Sequence, residues 1–302
     1  MTFTAEHPLR IGTRSSPLAL AQAEMTGEAL VAAYGWDEHA VVLVPMLSSG
    51  DKVQDRPLAE IGGKALWTKE LERALIDGDI DIAVHSMKDV ETVRHEAFTI
   101  AAMLPRADVR DRLIGALSIA ALPENALVGT SSPRRAAQLK ALRPDLRTAV
   151  IRGNVATRLA KIEAREFDAT LLAAAGLDRL DMSDTGSAIS TNEMLPAASQ
   201  GAVGIDCLSA NAEMVALLSA INHADTFACV MAERAFLAAL GGTCQSPVAA
   251  QATIEAGQVM LRGEILSEDG SERHAGTSDD PAALAAELLA CASPELKALF
   301  AA

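Results

Sequence analysis

His85, Ser86, Lys88 and Asp89 place a base, a hydroxyl, a cation and a carboxylate within five positions. They follow Asp79-Ile-Asp-Ile-Ala-Val84, where Ile80, Ile82 and Val84 alternate with Asp81 and Ala83, the period of a short strand. In an open α/β sheet, ligands bind in the crevice beyond the carboxyl ends of the strands. A strand ending in these four groups is therefore a candidate reaction centre. The alternative is a solvated strand-to-loop turn, and on this segment alone the two readings stand level.

A second group is cationic. Between Thr130 and Arg165 nine basic residues face two acidic ones, in a chain whose net charge is −14. A basic island in an acidic protein points to a local anion site rather than a polyanion surface. Lys140, Arg143 and Arg147 read as solvated helix face. Arg134 and Arg135 fall in the first turn of a helix opened by Thr130-Ser-Ser-Pro133, where the helix dipole disfavours cations, so a bound carboxylate or phosphate is expected there. Arg152-Gly-Asn-Val-Ala-Thr-Arg158 repeats the theme, and the planar guanidinium suits bidentate carboxylate binding. Gly12-Thr-Arg-Ser-Ser-Pro17 echoes Gly129-Thr-Ser-Ser-Pro133 with one residue inserted. Two such strand-to-helix junctions would offer backbone N–H groups to an anion across an interdomain cleft; chance or shared capping chemistry also explains so short an echo. Nucleotide phosphates are disfavoured, since neither G-x-x-x-x-G-K-[ST] nor G-x-G-x-x-G occurs.

The third group is Gly241-Gly-Thr-Cys244. A free cysteine is most often a small core residue, the expectation for Cys207, Cys229 and Cys291. Cys244 sits instead in a glycine-bearing loop, where a thiol near arginines is a candidate covalent attachment point. No C-x-x-C pair or zinc spacing occurs, so no metal is expected, and free thiols suit a reducing cytosol.

Positioning these groups requires a largely alternating chain. Strands are expected at Leu9–Thr13, Val41–Met46, Ile80–Val84, Phe98–Met103, Ala126–Gly129, Thr148–Ile151 and Ala169–Ala173. Helices are expected at 17–34 (capped by Ser16, closed by Gly35), 68–76, from Pro133 and at 154–165. This order implies an α/β fold with mainly parallel sheets. After Asp225 comes a helix, three strands (Val248–Ile254, Val259–Ile265, Glu272–His274) and a helix opened by Asp280-Pro281, a separate α+β domain. The 302 residues suffice for two or three domains. Net charge and 3% aromatics argue against nucleic acid, apolar runs are too short for a membrane span, and the N-terminus lacks a secretory pattern.

Seven motifs in this order resemble the porphobilinogen deaminase (hydroxymethylbilane synthase) family: Arg10–Leu20, Gly63–Glu72, His85–Val90, Val128–Arg135, Arg152–Leu159, Gln200–Ile205 and Gly241–Cys244. The resemblance covers nearly the whole chain. It implies a monomeric cytoplasmic enzyme that joins four porphobilinogen molecules head to tail, with loss of ammonia, on a dipyrromethane cofactor held by a thioether. Cys244 matches the attachment cysteine and Asp89 the catalytic carboxylate, which would accept pyrrole N–H bonds, stabilise the developing cation and move protons. Arg14, Ser16, Lys88, Ser131, Ser132, Arg134, Arg135, Arg152 and Arg158 would bind the acetate and propionate groups of cofactor, substrate and growing oligopyrrole. Lys64 and Gln200 would lie at the cleft edge. His85, first read as a base, becomes a structural residue.

The resemblance further implies three domains, 1–104 with 200–221, 105–199 and 222–302. The first two would be periplasmic-binding-protein-like around a cleft, and the third would carry the cysteine loop. Glu91 stands where the family usually has Pro, an expected loosening of the turn after Asp89. Ser199 stands for a frequent Gly, Pro133 for a Leu, Ala156 for a Gly and Trp67 for another aromatic. The competing reading is a non-enzymatic, hinge-bending carboxylate-binding protein.

Overall fold

The computed structural model describes residues 1–46, 68–243 and 246–300. Its contacts divide into two compact units, Met1–Ala107 with Ala202–Phe227, and Asp108–Gly201 with Ala228–Ala302. Strands are numbered in chain order.

The first unit holds β1 (Leu9–Arg14), β2 (Val41–Met46), β3 (Ile82–Ser86), β4 (Phe98–Met103) and β10 (Val203–Leu208), in the order β2-β1-β3-β10-β4. β1 is parallel to β2 and β3, whereas β10 is antiparallel to both β3 and β4. The helix after β1 spans Pro17–Tyr34. The Ser16 hydroxyl accepts from the Ala19 N–H at its start, and Gly35 closes it at φ 63°. The helix Lys69–Asp77 lays Leu71, Ala74 and Leu75 on the sheet, the spacing of one helical face.

In the second unit β5 (Asp111–Ile114), β6 (Leu127–Gly129), β7 (Arg147–Ala149), β8 (Ala169–Ala173) and β9 (Ser187–Ala188) run in the order β7-β6-β8-β5-β9. β6 is parallel to β7 and β8, and β5 is antiparallel to β8 and β9. The two sheets therefore repeat one plan, with β6 in the place of β1. The sequence echo at Gly12 and Gly129 marks equivalent strand ends. Each sheet is parallel through three strands and antiparallel through its last two, so the architecture is mixed α/β. The antiparallel part is contributed by β5 and β10, neither of which is among the strands expected above.

The C-terminal strands β11 (Val248–Glu255), β12 (Gln258–Leu266) and β13 (Arg273–Ser278) form an antiparallel sheet. The helices Ala224–Ala239 and Pro281–Cys291 contribute Phe236, Leu284 and Leu288 to its core, against Leu261 and Ile265. This sheet belongs to the second unit. The Ala250 N–H donates to the Pro196 carbonyl, and the fully buried Glu233 carboxylate accepts from the Ser199 and Ala252 N–H groups. One cysteine departs from expectation. Cys291 is exposed, because the last helix spends its inner face on Leu284, Ala285 and Leu288 and the next inward position falls on Ala292. Among the described residues no single helix is long and apolar enough to cross a membrane.

Candidate functional site

At the C-terminal ends of β1 and β3, a pocket of about 70 Å³ is lined by Arg14, Ser16, Gln22, His85, Ser86 and Asp89, among others. That space holds several waters or a carboxylate group. Arg14 is the last residue of β1, and Ser16 caps the next helix. Asp89 is the exposed end of a one-turn 3-10 segment, Met87–Asp89, that follows β3 directly. The sheet thus brings Arg14 and Ser16 together with Asp89, more than seventy positions away in sequence. Gln22, which carries no motif signal, joins them by donating its side-chain amide to the Ser86 hydroxyl at 2.8 Å. Lys88 is half-buried beside Asp89.

Behind the pocket lies a partly buried ionic cluster. Arg94, 9% exposed, donates to Glu72 at 2.6 Å, Glu91 at 2.9 Å and Asp206 at 2.5 Å. Burial works against its charge, but the carboxylates overcome it and hold the guanidinium above its ordinary pKa. Glu91 also accepts from the Thr68 hydroxyl at 2.8 Å. The looser turn expected from Glu at 91 is thus replaced by one tied from two sides. His85 is buried, with Nε2 3.6 Å from Asp206. Burial pushes its imidazole below 6.5 although Asp206 opposes the shift, consistent with a neutral structural residue. Buried Cys207 next to Asp206 has its thiol pushed up to about 11, mainly by burial, which leaves it unreactive.

In the second unit Ser132 caps the helix Pro133–Leu142, and the Ser131 hydroxyl donates to the Ile151 carbonyl. Arg134 and Arg135 are both buried. Arg134 donates to Asp111 at 2.9 Å and to Gln138 and the Leu195 carbonyl, while Arg135 donates to Asp111 at 2.8 Å and to the Leu171 carbonyl. Gln200 adds a bond to Asp111 at 2.8 Å. The carboxylate that allows two arginines in a first helical turn is therefore the protein's own. Burial opposes the Asp111 charge, but the two guanidiniums hold its pKa well below the usual carboxylate range. The Nε of each arginine is buried without a hydrogen-bond partner, and two cations share one carboxylate.

Arg152 is half-buried beyond β7, and Arg158 Nε donates to the Gly153 carbonyl at 2.9 Å. The rest of the basic island disperses: Arg143 pairs with Asp145 at 2.7 Å, and Lys140 reaches the Glu268 carbonyl. Cys244 and Lys64 lie outside the described residues. The flanks of Cys244 are defined, with Gly241 at φ 69° and the Thr243 N–H donating to the Ser246 hydroxyl.

The family model described as "Porphobilinogen deaminase, dipyromethane cofactor binding domain" matches residues 9–216, and that described as "Porphobilinogen deaminase, C-terminal domain" matches 227–295. The chain belongs to the porphobilinogen deaminase family. A porphobilinogen deaminase from Sphingopyxis alaskensis is 57% identical, with 99% of this chain and 98% of the relative aligned. One from Paracoccus denitrificans is 50% identical over 92% of this chain and 90% of the relative. A periplasmic substrate-binding protein of an ABC transporter from Coxiella burnetii aligns with a TM-score of 0.43 at 14% identity, covering 70% of this chain and 91% of that one. Both deaminase family models together span the two sheets with the Ser-Pro junctions and the C-terminal sheet.

Proposed function

We propose that this protein is a hydroxymethylbilane synthase of tetrapyrrole biosynthesis. It condenses four porphobilinogen molecules head to tail and releases the linear product. Each coupling forms one carbon–carbon bond, breaks the aminomethyl carbon–nitrogen bond and expels ammonia. The observation that carries this reading is the pocket that gathers Asp89, Arg14 and Ser16 in a chain of this family.

The donor set fits a polycarboxylate pyrrole cofactor. The Arg134 and Arg135 Nε atoms are buried without partners and two cations share one carboxylate, a balance that a ligand carboxylate completes. A dipyrromethane linked to Cys244 supplies the pyrrole end on which the chain is built. Asp89 accepts pyrrole N–H bonds and carries the proton released when the ring carbon couples. Arg14, Ser16, Lys88, Ser131, Ser132, Arg152 and Arg158 hold acetate and propionate groups. Arg134 and Arg135 contribute the donors that Asp111 leaves over. Lys64 is a further cation for substrate carboxylates, Gln200 supports Asp111 from within the fold, and the chain has three domains. The protein works as a cytoplasmic monomer without nucleic acid or membrane.

Intact mass of the purified protein tests this directly. The wild type is expected to carry an adduct of two linked pyrroles, Cys244→Ser none, and Asp89→Ala is expected to lose at least ~100-fold in turnover with its far-ultraviolet spectrum unchanged. An unmodified, folded wild type that leaves porphobilinogen untouched supports the carboxylate-binding protein instead.

A further inference from the structure

Asp89 stands on a short loop, and both ends of that loop are fastened to the same strand. At its start the Met87 N–H donates to the carbonyl of Ala202, the residue before β10, at 3.1 Å. At its end Arg94 donates to Asp206, within β10, at 2.5 Å. Between them the Val90 N–H closes the turn on the Met87 carbonyl at 3.3 Å. Arg94 also reaches sideways to Glu72 on the helix Lys69–Asp77 and back to Glu91, two residues after Asp89. Glu91 is in turn held by Thr68, at the N-terminus of that helix. The guanidinium lies 5.5 Å from the centroid of the Phe98 ring on β4, a cation–π distance. One partly buried side chain thus joins the Asp89 loop to a helix and two strands.

We propose that Arg94 is a positioning residue for Asp89, fixing the height and direction of the carboxylate over the pocket without touching substrate. A planar fork satisfied in three directions has one orientation, and the loop it ends inherits that orientation. Lysine, a single ammonium on a flexible stem, cannot reproduce the fork. Asp89 itself is exposed, so its placement relies on the loop beneath it. Displacing a reacting group by about 1 Å costs on the order of 100-fold in rate.

The proposal rests on the porphobilinogen reading, and steady-state kinetics on the cofactor-loaded enzyme separate the two. Wild-type turnover and the adduct mass test the reaction; the variants, each compared with the active wild type, test Arg94. Arg94→Met is expected to lower kcat roughly 10- to 100-fold while KM stays within about threefold and the adduct mass is retained. Arg94→Lys is expected to recover part of kcat. Glu91→Gln keeps the acceptor for Thr68 and removes one charge, leaving Asp206 and Glu72 paired, and is expected to lower kcat by roughly threefold or more. Arg73→Met, on the exposed face of the same helix, is the control and is expected to match the wild type. A folded Arg94→Met with wild-type kcat overturns the proposal, whatever its melting temperature; so does a change confined to KM. If Arg94→Met does not fold, Glu91→Gln decides, and wild-type kcat there overturns the proposal equally.

Discussion

Gly204 on β10 lies against Met87, the first residue of the turn that ends in Asp89. A Cβ at 204 would overlap the Met87 sulfur, and Gly204 pairs with His85 across the sheet. The thioether fills the space that any other residue at 204 would claim, so the strand and the turn interlock. This gives a packing reason for the glycine inside Gln200–Ile205.

Gly204→Ala is therefore expected to push Met87 outward and carry the Asp89 turn with it. Overpacking of this kind costs about 1–3 kcal/mol, and kcat should fall roughly tenfold or more. Thermal melting and kinetics on the same preparation check both effects. Wild-type kcat would show that the turn does not depend on this contact.

Arg134→Leu is expected to destabilise the fold itself by about 1–3 kcal/mol, because it takes one of two guanidinium donors from the buried Asp111 and the donor from the buried Gln138. Arg152→Leu removes a guanidinium that no ion pair holds among the described residues, and is expected to change stability by less than ~0.5 kcal/mol while impairing cofactor assembly or elongation. Urea denaturation of the two variants separates an arginine that also holds Asp111 from one that faces ligand alone. Equal stabilities would count against this division.

Ser199 adopts φ 66°, a left-handed conformation that a side chain tolerates poorly. Its N–H bond to Glu233 does not involve the side chain. Ser199→Gly should therefore keep that bond and stabilise the protein by ~1 kcal/mol, seen as a higher melting temperature. An unchanged or lower one would mean that the side chain repays its strain.

Acid stability should be lost in two stages. The His85 pKa is lowered in the fold by burial, with Asp206, Glu91 and Glu72 opposing and Arg94 assisting. The unfolded chain then binds the extra proton first, and stability falls as pH drops below 6.5. The Asp111 pKa is lowered by its arginines, so the stability it contributes is present above 3.8 and lost as pH falls further. Denaturation midpoints from pH 8 to 2 would trace the first stage and the onset of the second, and His85→Asn should flatten the first. A first stage that persists in His85→Asn would assign it to another group.

Local signals carried much of this fold. β2, β4 and β8 lie where apolar runs bounded by turn residues place them, and Ser16 and Asp280 cap helices through side-chain bonds that their residue types announce. β5 and β10 were not anticipated, although Val203, Ile205 and Cys207 alternate along β10. Asp111-Arg112 opens one, and Gly204 and Asp206 interrupt the other, residue types that count against a strand. Both are paired on two sides and hold their carboxylates in buried ion pairs, so tertiary context overrides propensity. Asp89, Arg14 and Ser16 could be named in advance because they sit at strand ends. Arg94 and Asp111 could not, since an ion pair between distant segments has no sequence period. An isolated aspartate inside the run Val203–Leu208 was the one available sign.

The position of β10 also orders events during synthesis. Among the described residues β4 has no sheet neighbour except β10, and about a hundred residues separate them. While the ribosome is still making residues 111–188, the sheet that starts first cannot close, whereas the second has all five of its strands within that stretch. Domains usually fold in the order in which they emerge. Here the inserted sheet is complete first, and the loop carrying Asp89 gains its anchors at Ala202 and Asp206 only after the rest of its neighbourhood has been translated.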